Sequence, residues 1–433
     1  MSVTSSSSAF ATLEPLEPLM DKCVHCGFCL PTCPSYVLLG QEMDSPRGRI
    51  YLMRAGIEDR VQMVPSVVKH FDTCLGCMAC ETACPSGVKY APLIEQTRAA
   101  IESQHPRSSA ERWFRRLLFS VLPYPARLRL LAVPLALAGP IRRSPAMLTL
   151  LPAKLRNMLT LSPSVRLSDT RRETPELTAA SGPVRMRVGL VTGCVQRAFF
   201  GKVNQATARV LAAEGCEVHA PRSQGCCGAL ALHAGEDETA RAFARSLIQT
   251  FEQSGVDAIA VNAAGCGSAM KEYGHLLRND PEWAERARAF SSKVRDVTEV
   301  LAACDPPRAS RQTMNLKVAY HDACHLAHAQ GVRSEPRQLL ASIPGVSVVP
   351  IEESEICCGS AGIFNLVQPE MASQLGRRKA DNIAKTSPDV VVTSNPGCIL
   401  QIRAAAAQAG HAYRVIHIVE LLDHAINPAR TSG

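Results

Sequence analysis

The sequence predicts an α+β protein of several domains: a small helical module at the N-terminus, a helical connector, and a duplicated α/β body. Three observations predict it. Eighteen cysteines lie in two districts of the 433 residues, eight before residue 100 and ten between Cys194 and Cys398. The first eight form two runs of identical spacing, each followed by proline. The last part of the chain repeats itself, with four cysteines at matching places in each copy.

A chain of 433 residues is long enough for two or three domains with their own cores. Its charged and apolar fractions, 20% and 46%, are those of an ordinary globular protein. The Ser-rich start, Met1 to Phe10, has neither the basic nor the apolar segment of a signal peptide. Cysteines in a reducing compartment serve metal or redox chemistry rather than disulfides, and the expected location is cytoplasmic. A net charge of +8 fits an acidic protein partner or an anionic membrane surface. The basic residues are scattered and not interleaved with aromatics, which argues against nucleic acid.

Residues 1–100 make the first domain. Cys23, Cys26, Cys29 and Cys33, then Pro34, read C-x2-C-x2-C-x3-C-P, and Cys74, Cys77, Cys80 and Cys84, then Pro85, repeat it. This is the bacterial two-cluster ferredoxin run, in which the fourth cysteine ligates the other cluster. Cluster I is therefore assigned to Cys23, Cys26, Cys29 and Cys84, and cluster II to Cys74, Cys77, Cys80 and Cys33. Three thiolates two residues apart can wrap one face of a four-iron cube, and the remaining iron is reached from a distant segment. Structural zinc takes paired cysteines in a different rhythm. Between the runs lies Asp44-Ser45-Pro46-Arg47-Gly48-Arg49. Arg47 and Arg49 are candidates to offset cluster charge; the plainer alternative is a capped helix start.

Residues 101–183 hold no cysteine and form a helical connector and linker, the polar stretch Leu167 to Gly182 reading as linker. The apolar run Leu130 to Ile141 contains Pro134 and Pro140 and is too short for a bilayer span of roughly 20 residues. Arg127, Arg129, Arg142 and Arg143 flank it, so a peripheral membrane contact competes with simple packing on a partner or on the chain's own body.

The body divides into repeats at 184–305 and 314–428. VGLVTGC (Val188 to Cys194), QGCCG (Gln224 to Gly228) and AIAVNAAGC (Ala258 to Cys266) correspond to KVAYHDAC (Lys317 to Cys324), EICCG (Glu355 to Gly359) and VVVTSNPGC (Val390 to Cys398). From single cysteine to pair is 32 and 33 positions, and from pair to last cysteine 39 and 40. Short β-branched runs (Val188 to Thr192, Ala258 to Val261, Val390 to Thr393) alternate with helical stretches such as Gln205 to Glu214 and Met371 to Ala384. That alternation predicts a mainly parallel sheet in each copy. The first and last cysteines follow strands directly, at the carboxyl ends where open α/β sheets place their sites.

Cys194, Cys226, Cys227 and Cys266, and likewise Cys324, Cys357, Cys358 and Cys398, are thus candidate ligands of zinc or of further Fe–S clusters. Gly228 and Gly359 allow the tight turn that aims both members of each pair at one centre. Cys216 and Cys304 have no counterparts and read as buried thiols. His321, His325 and His328 surround Cys324 and could support a metal site from outside its ligands. The first repeat has no matching histidines, which favours an incidental role.

With both cysteine districts in view, the chain resembles a known family. A double ferredoxin run followed by two cysteine-rich CCG domains is similar to the iron–sulfur subunits of 2-hydroxy-acid and anaerobic glycerol-3-phosphate dehydrogenases and of heterodisulfide reductases. HCGFCLPTCPSY (His25 to Tyr36), DSPRGRIYLM (Asp44 to Met53) and CETACPSGVKY (Cys80 to Tyr90) look most like the glycolate oxidase iron–sulfur subunit. The resemblance implies electron transfer from a flavin-containing subunit, which oxidises glycolate to glyoxylate, to an acceptor such as membrane quinone. No G-x-G-x-x-G fingerprint occurs in this chain, and no acid/base constellation for a hydroxy acid is evident, so no catalytic residue is expected here. The alternative is a disulfide or thiol reductase of the heterodisulfide reductase type. In that type the last cysteine of each repeat opens a CxxC, whereas here Ala269 and Gln401 stand at the second position.

Overall fold

The structure is a computed structural model and describes residues 10–163, 170 and 172–428. The Ser-rich start and part of the stretch read as linker lie outside the described residues.

Up to residue 104 the described chain is helical, with loops carrying all the cysteines but Cys80, which lies in the short helix Ala79–Thr82. Pro34, Pro46 and Pro65 each open a helix (Pro34–Leu39, Pro46–Ile57, Pro65–Asp72). The first helical N–H has no partner within its helix, so proline sacrifices nothing there. The Ser45 hydroxyl caps the second of these by accepting from the Gly48 N–H at 3.0 Å. Phe10, Leu13, Met20, Met53, Phe71, Leu93, Ile94 and Ile101 are fully buried between them. Each such side chain contributes about 1.5–3 kcal/mol of hydrophobic stabilisation, a core sufficient to hold the cysteine loops.

The connector follows as Ser109–Val121, Pro125–Leu137, Gly139–Arg143, Pro145–Thr149 and Ala153–Leu161. No single helix among the described residues is long and apolar enough to cross a membrane. The first two connector helices meet at a bend of 106°. Leu130, Leu137 and Leu150 are about three-quarters exposed or more, at 75%, 76% and 84%.

Two sheets build the body. The first comprises β1 (Leu177–Thr178), β2 (Met186–Val191), β3 (Cys216–His219), β4 (Ala258–Val261) and β5 (Val294–Asp296), in the order β1-β3-β2-β4-β5. The second comprises β6 (Leu316–Tyr320), β7 (Val346–Val349), β8 (Val390–Thr393) and β9 (Arg414–His417), in the order β7-β6-β8-β9. All pairings are parallel except that of β1 with β3. The register repeats as well: Val188 faces Ala258 in the first sheet and Val318 faces Val390 in the second. Even the helix starts correspond, since Asp296 at the end of β5 and His417 at the end of β9 each form a capping box with a glutamate three residues on. Strand β1 falls within the polar stretch expected to be linker; it adds an antiparallel edge that the second sheet lacks.

Helices cover the sheets, and one apolar core runs from Val188 and Leu211 of the first repeat to Val391, Ile399 and Leu422 of the second. Polar contacts lock the repeats together inside it. The His417 Nε2 lies 2.9 Å from the Asn262 carbonyl, and Arg209 clasps the Asp423 carboxylate.

Candidate metal centres

The ferredoxin runs sit in loops between short helices, except for Cys80 in the one-turn helix Ala79–Thr82, and lie at two depths. Cys26 is exposed and flanked by Val24 and Phe28, whose exposures are 68% and 66%. Cys23, Cys29 and Cys84 are half-buried and pack on the module's core. Cys33, Cys74, Cys77 and Cys80 are buried. Burial raises the Cys77 and Cys80 thiols well above their ordinary range, and the charges of Cys74 and Cys33 add to the rise in both. Cys33, from the first run, therefore lies within electrostatic range of the second. Cys29, nearer the surface, is pushed up to about 11 by burial, with Cys33 and Cys23 adding to it. Four buried thiolates repel one another, and an iron core supplies the positive charge that relieves this. The donor set and its depth fit a [4Fe–4S] cluster.

Arg49 is fully buried beside these thiols. Its Nε donates to the His70 carbonyl at 2.5 Å, and its Nη2 donates to Ser35 Oγ at 2.9 Å and Thr73 Oγ1 at 3.0 Å. The Asp44 carboxylate stands 3.8 Å away and accepts from Thr73 Oγ1 at 2.6 Å. Burial alone would lower the Arg49 pKa, yet the charges of Cys74, Tyr90, Cys33 and Asp44 raise it. Cys74 shows the reciprocal effect: burial raises it, but Arg49 and Arg98 bring it below its ordinary value. Arg47 does something else. It pairs with Glu42 at 2.6 Å and donates to the His25 carbonyl at 2.8 Å, bracing the loop of the first run. The DSPRGR segment thus serves both as a capped helix start and, through Arg49, as a buried positive charge.

Each repeat gathers its cysteines where the strands end. Cys194 opens the helix after β2, Cys266 lies in the helix Ala264–Lys271 after β4, and the Cys226–Cys227 turn lies between. Gly228 and Gly359 adopt φ of +75° and +89°, as the tight turn requires, and a Cβ on Gly359 would stand 2.7 Å from the Ala372 carbonyl oxygen. The Sγ atoms of Cys194 and Cys226 are 3.6 Å apart, and those of Cys324 and Cys357 are 3.8 Å apart. Cys216 and Cys304 are buried elsewhere, with their sulfurs 3.7 Å apart.

Two features escaped the sequence reading. His321, Cys358 and Cys398 are all buried and present ligand atoms within 4.8 Å of one another. Cys358 is held well below its ordinary pKa by hydrogen bonds from Cys357 and Cys398, against the opposing effect of burial and with further help from His321. The histidine's lack of a counterpart had argued for an incidental role; only the turn after β6 brings it to the cysteines. The other feature is the use made of the positions where a CxxC would end. Ala269 is core, and Gln401 is buried, donating to the Ala372 carbonyl at 2.9 Å and accepting from Asn365 at 3.1 Å.

The second repeat docks directly on the ferredoxin module. His325 Nε2 is 2.8 Å from the Gly76 carbonyl, and Thr82 Oγ1 is 3.0 Å from His328 Nδ1. Cys77 senses the charge of Cys324. The first repeat is tied in by Arg98, which donates to the His233 carbonyl at 2.9 Å and to the Cys74 carbonyl at 2.5 Å.

Comparisons with known proteins agree with this anatomy. Residues 19–88 match the family described as a 4Fe-4S dicluster domain, and residues 188–271 and 318–403 each match a cysteine-rich domain. The chain is 40% identical over 412 residues to the probable glycolate oxidase iron-sulfur subunit of Bacillus subtilis, covering 92% of both chains. It is 35% identical over 415 residues to the glycolate oxidase iron-sulfur subunit of Escherichia coli, covering 95% of both. Lactate utilization protein A of an Exiguobacterium species is 31% identical over 56% of this chain and 99% of its own length. In fold the chain is similar to a hypothetical protein from Helicobacter pylori, with a TM-score of 0.55 over 97% of this chain and 76% of that one, at 8% identity.

Proposed function

The chain belongs to the family of glycolate oxidase iron–sulfur subunits, and we propose that it relays single electrons from a flavin-containing partner to a downstream acceptor. Bound [4Fe–4S] clusters supply the one-electron chemistry. Cys23, Cys26, Cys29 and Cys84 hold cluster I, and Cys74, Cys77, Cys80 and Cys33 hold cluster II. The observation that carries this reading is the burial of Cys33 among the thiols of the second run, since exchange of the fourth ligand brings two clusters close together. Arg49 keeps a positive charge beside cluster II, which favours its reduced form. At the other end, the exposed Val24–Phe28 rim around Cys26 offers a contact for a redox partner.

Oxidation of glycolate to glyoxylate takes place on the flavin-containing subunit. The acceptor is a membrane quinone, reached by peripheral contact with the cytoplasmic face of the membrane. Support comes from the connector, where Leu130, Leu137 and Leu150 are exposed and Arg127 flanks the apolar run in sequence. A heterodisulfide reductase activity is disfavoured by the structural employment of Ala269 and Gln401.

The test uses the complex with its flavin-containing partner. Cys26→Ser abolishes electron transfer to an artificial acceptor while glycolate still reduces the flavin. Onward transfer at the normal rate in that variant contradicts the relay.

A further inference from the structure

We propose that the second repeat binds a single divalent ion of the zinc class through His321, Cys358 and Cys398, making the two repeats chemically unequal. The proposal deepens the reading of the repeats as metal sites and rests on it; the ferredoxin relay stands apart.

Spacing is the first argument. The three ligand atoms lie within 4.8 Å of one another. Around one tetrahedral ion, with Zn–S of about 2.3 Å and Zn–N of about 2.0–2.1 Å, ligand atoms stand roughly 3.3–3.8 Å apart. Small rotamer changes close the trio on one centre. A four-iron cube holds each thiolate on a separate corner and keeps its ligands farther apart.

The histidine itself is the second, independent argument. His321 is 1% exposed, and neither ring nitrogen has a hydrogen-bond partner. Its neighbours His325 and His328 and the buried His417 are all hydrogen-bonded. Leaving a buried polar group unpaired costs about 1–3 kcal/mol, and a bound ion removes that cost for one nitrogen. The backbone fixes the position: His321 follows β6 at once, and its N–H donates to the Val392 carbonyl at 2.9 Å.

The corresponding position of the first repeat, three residues before its first cysteine, is Val191, which is buried and cannot ligate. Only thiolates are left to that site. In the second repeat, one imidazole and two thiolates within reach of one centre suit zinc, and Cys357, next to Cys358 in the chain, would be the fourth ligand of a closed tetrahedral set. Zinc has no redox chemistry, so this centre would brace the loop that carries Cys357 against the ferredoxin module instead of lengthening the electron path.

The experiment measures zinc, iron and acid-labile sulfide on the anaerobically purified full chain, and zinc release to a chromophoric chelator. The wild type is expected to carry one zinc in addition to its ferredoxin irons. His321→Val, the first repeat's own residue, is expected to keep those irons and either lose zinc or release it at least about tenfold faster. His321→Cys is expected to retain it. Zinc held normally by His321→Val but lost from Cys358→Ser/Cys398→Ser overturns the histidine assignment and leaves the repeat a metal site. Metal content unchanged in both variants overturns the metal-site reading itself. Extra iron and sulfide in place of zinc overturns the single-ion proposal. Should His321→Val lose its irons through misfolding, His321→Cys decides: zinc retained supports the proposal, and zinc lost overturns it.

Discussion

Cys77 of the second ferredoxin run and Cys357 of the second repeat are buried in one apolar cluster with Leu75, Phe364 and Met371. Segments remote in sequence thus bring two cysteine centres into one packed junction. The packing braces the loop of the second ferredoxin run against the second repeat.

Arg49→Met removes a buried positive charge from beside Cys33 and Cys74. The reduction potential of cluster II is expected to fall by on the order of 100 mV, the Coulomb energy of a unit charge several ångströms away at an effective dielectric of about 20. Arg49→Lys should recover most of the loss. Because Asp44 is left with a weakened set of partners, stability should also drop, by about 3–5 kcal/mol if the pair behaves as other buried ion pairs do. A potentiometric titration followed by electron paramagnetic resonance checks the potential; no change would remove Arg49 from the cluster's surroundings.

Glu95 is the clearest source of pH dependence. Burial pushes its pKa up to about 7, against the opposing charges of Arg98, His275 and His325. The folded protein therefore binds this proton more tightly than the unfolded chain, whose carboxyl titrates near 4.5. The contribution to stability is fully present below that lower value and is lost as pH rises through about 7. Asp296, also raised to about 7 by burial, adds a slope of the same sign. Glu95→Gln should flatten part of this fall and exceed the wild type by about 2–3 kcal/mol at pH 8. Denaturant titrations at pH 5 and pH 8 measure it, and parallel losses in both proteins would refute it.

Gln401→Ala leaves the Asn365 amide unpaired inside the second repeat and takes a second donor from the helical Ala372 carbonyl. A loss of about 1–3 kcal/mol is expected, with the ferredoxin irons unchanged. Thermal unfolding with iron analysis separates this from a redox role, which would instead alter the metal content or the electron-transfer rate at constant stability.

On the connector, replacing Leu130, Leu137 and Leu150 by aspartate should abolish flotation with anionic vesicles and leave chain stability within about 0.5 kcal/mol of the wild type, because the side chains are exposed. Raised salt should weaken wild-type flotation in the same assay. Equal flotation of variant and wild type would exclude this surface.

Much of this was legible in the sequence because cysteine spacing and β-branched runs are local signals. The run lengths around Val188, Ala258 and Val390 foretold β2, β4 and β8 to within two residues, and the CCG glycines foretold their turns. What lay beyond the sequence was pairing in space. Nothing local marks Leu177–Thr178 as a strand, since two residues acquire that state only by pairing with β3. Nor does spacing reveal that Arg49 faces Cys74 while Arg47 faces Glu42, although only Gly48 separates the two. His321 has no counterpart in the first repeat, and its meaning lies in that difference.

The most direct test of the central claim is the iron and acid-labile sulfide content of the anaerobically purified chain, compared with that of Cys26→Ser. Two clusters in the ferredoxin module predict about eight irons and eight sulfides per chain, with a clear loss in the variant. Little iron in the wild type, or a full complement undisturbed by Cys26→Ser, would contradict it.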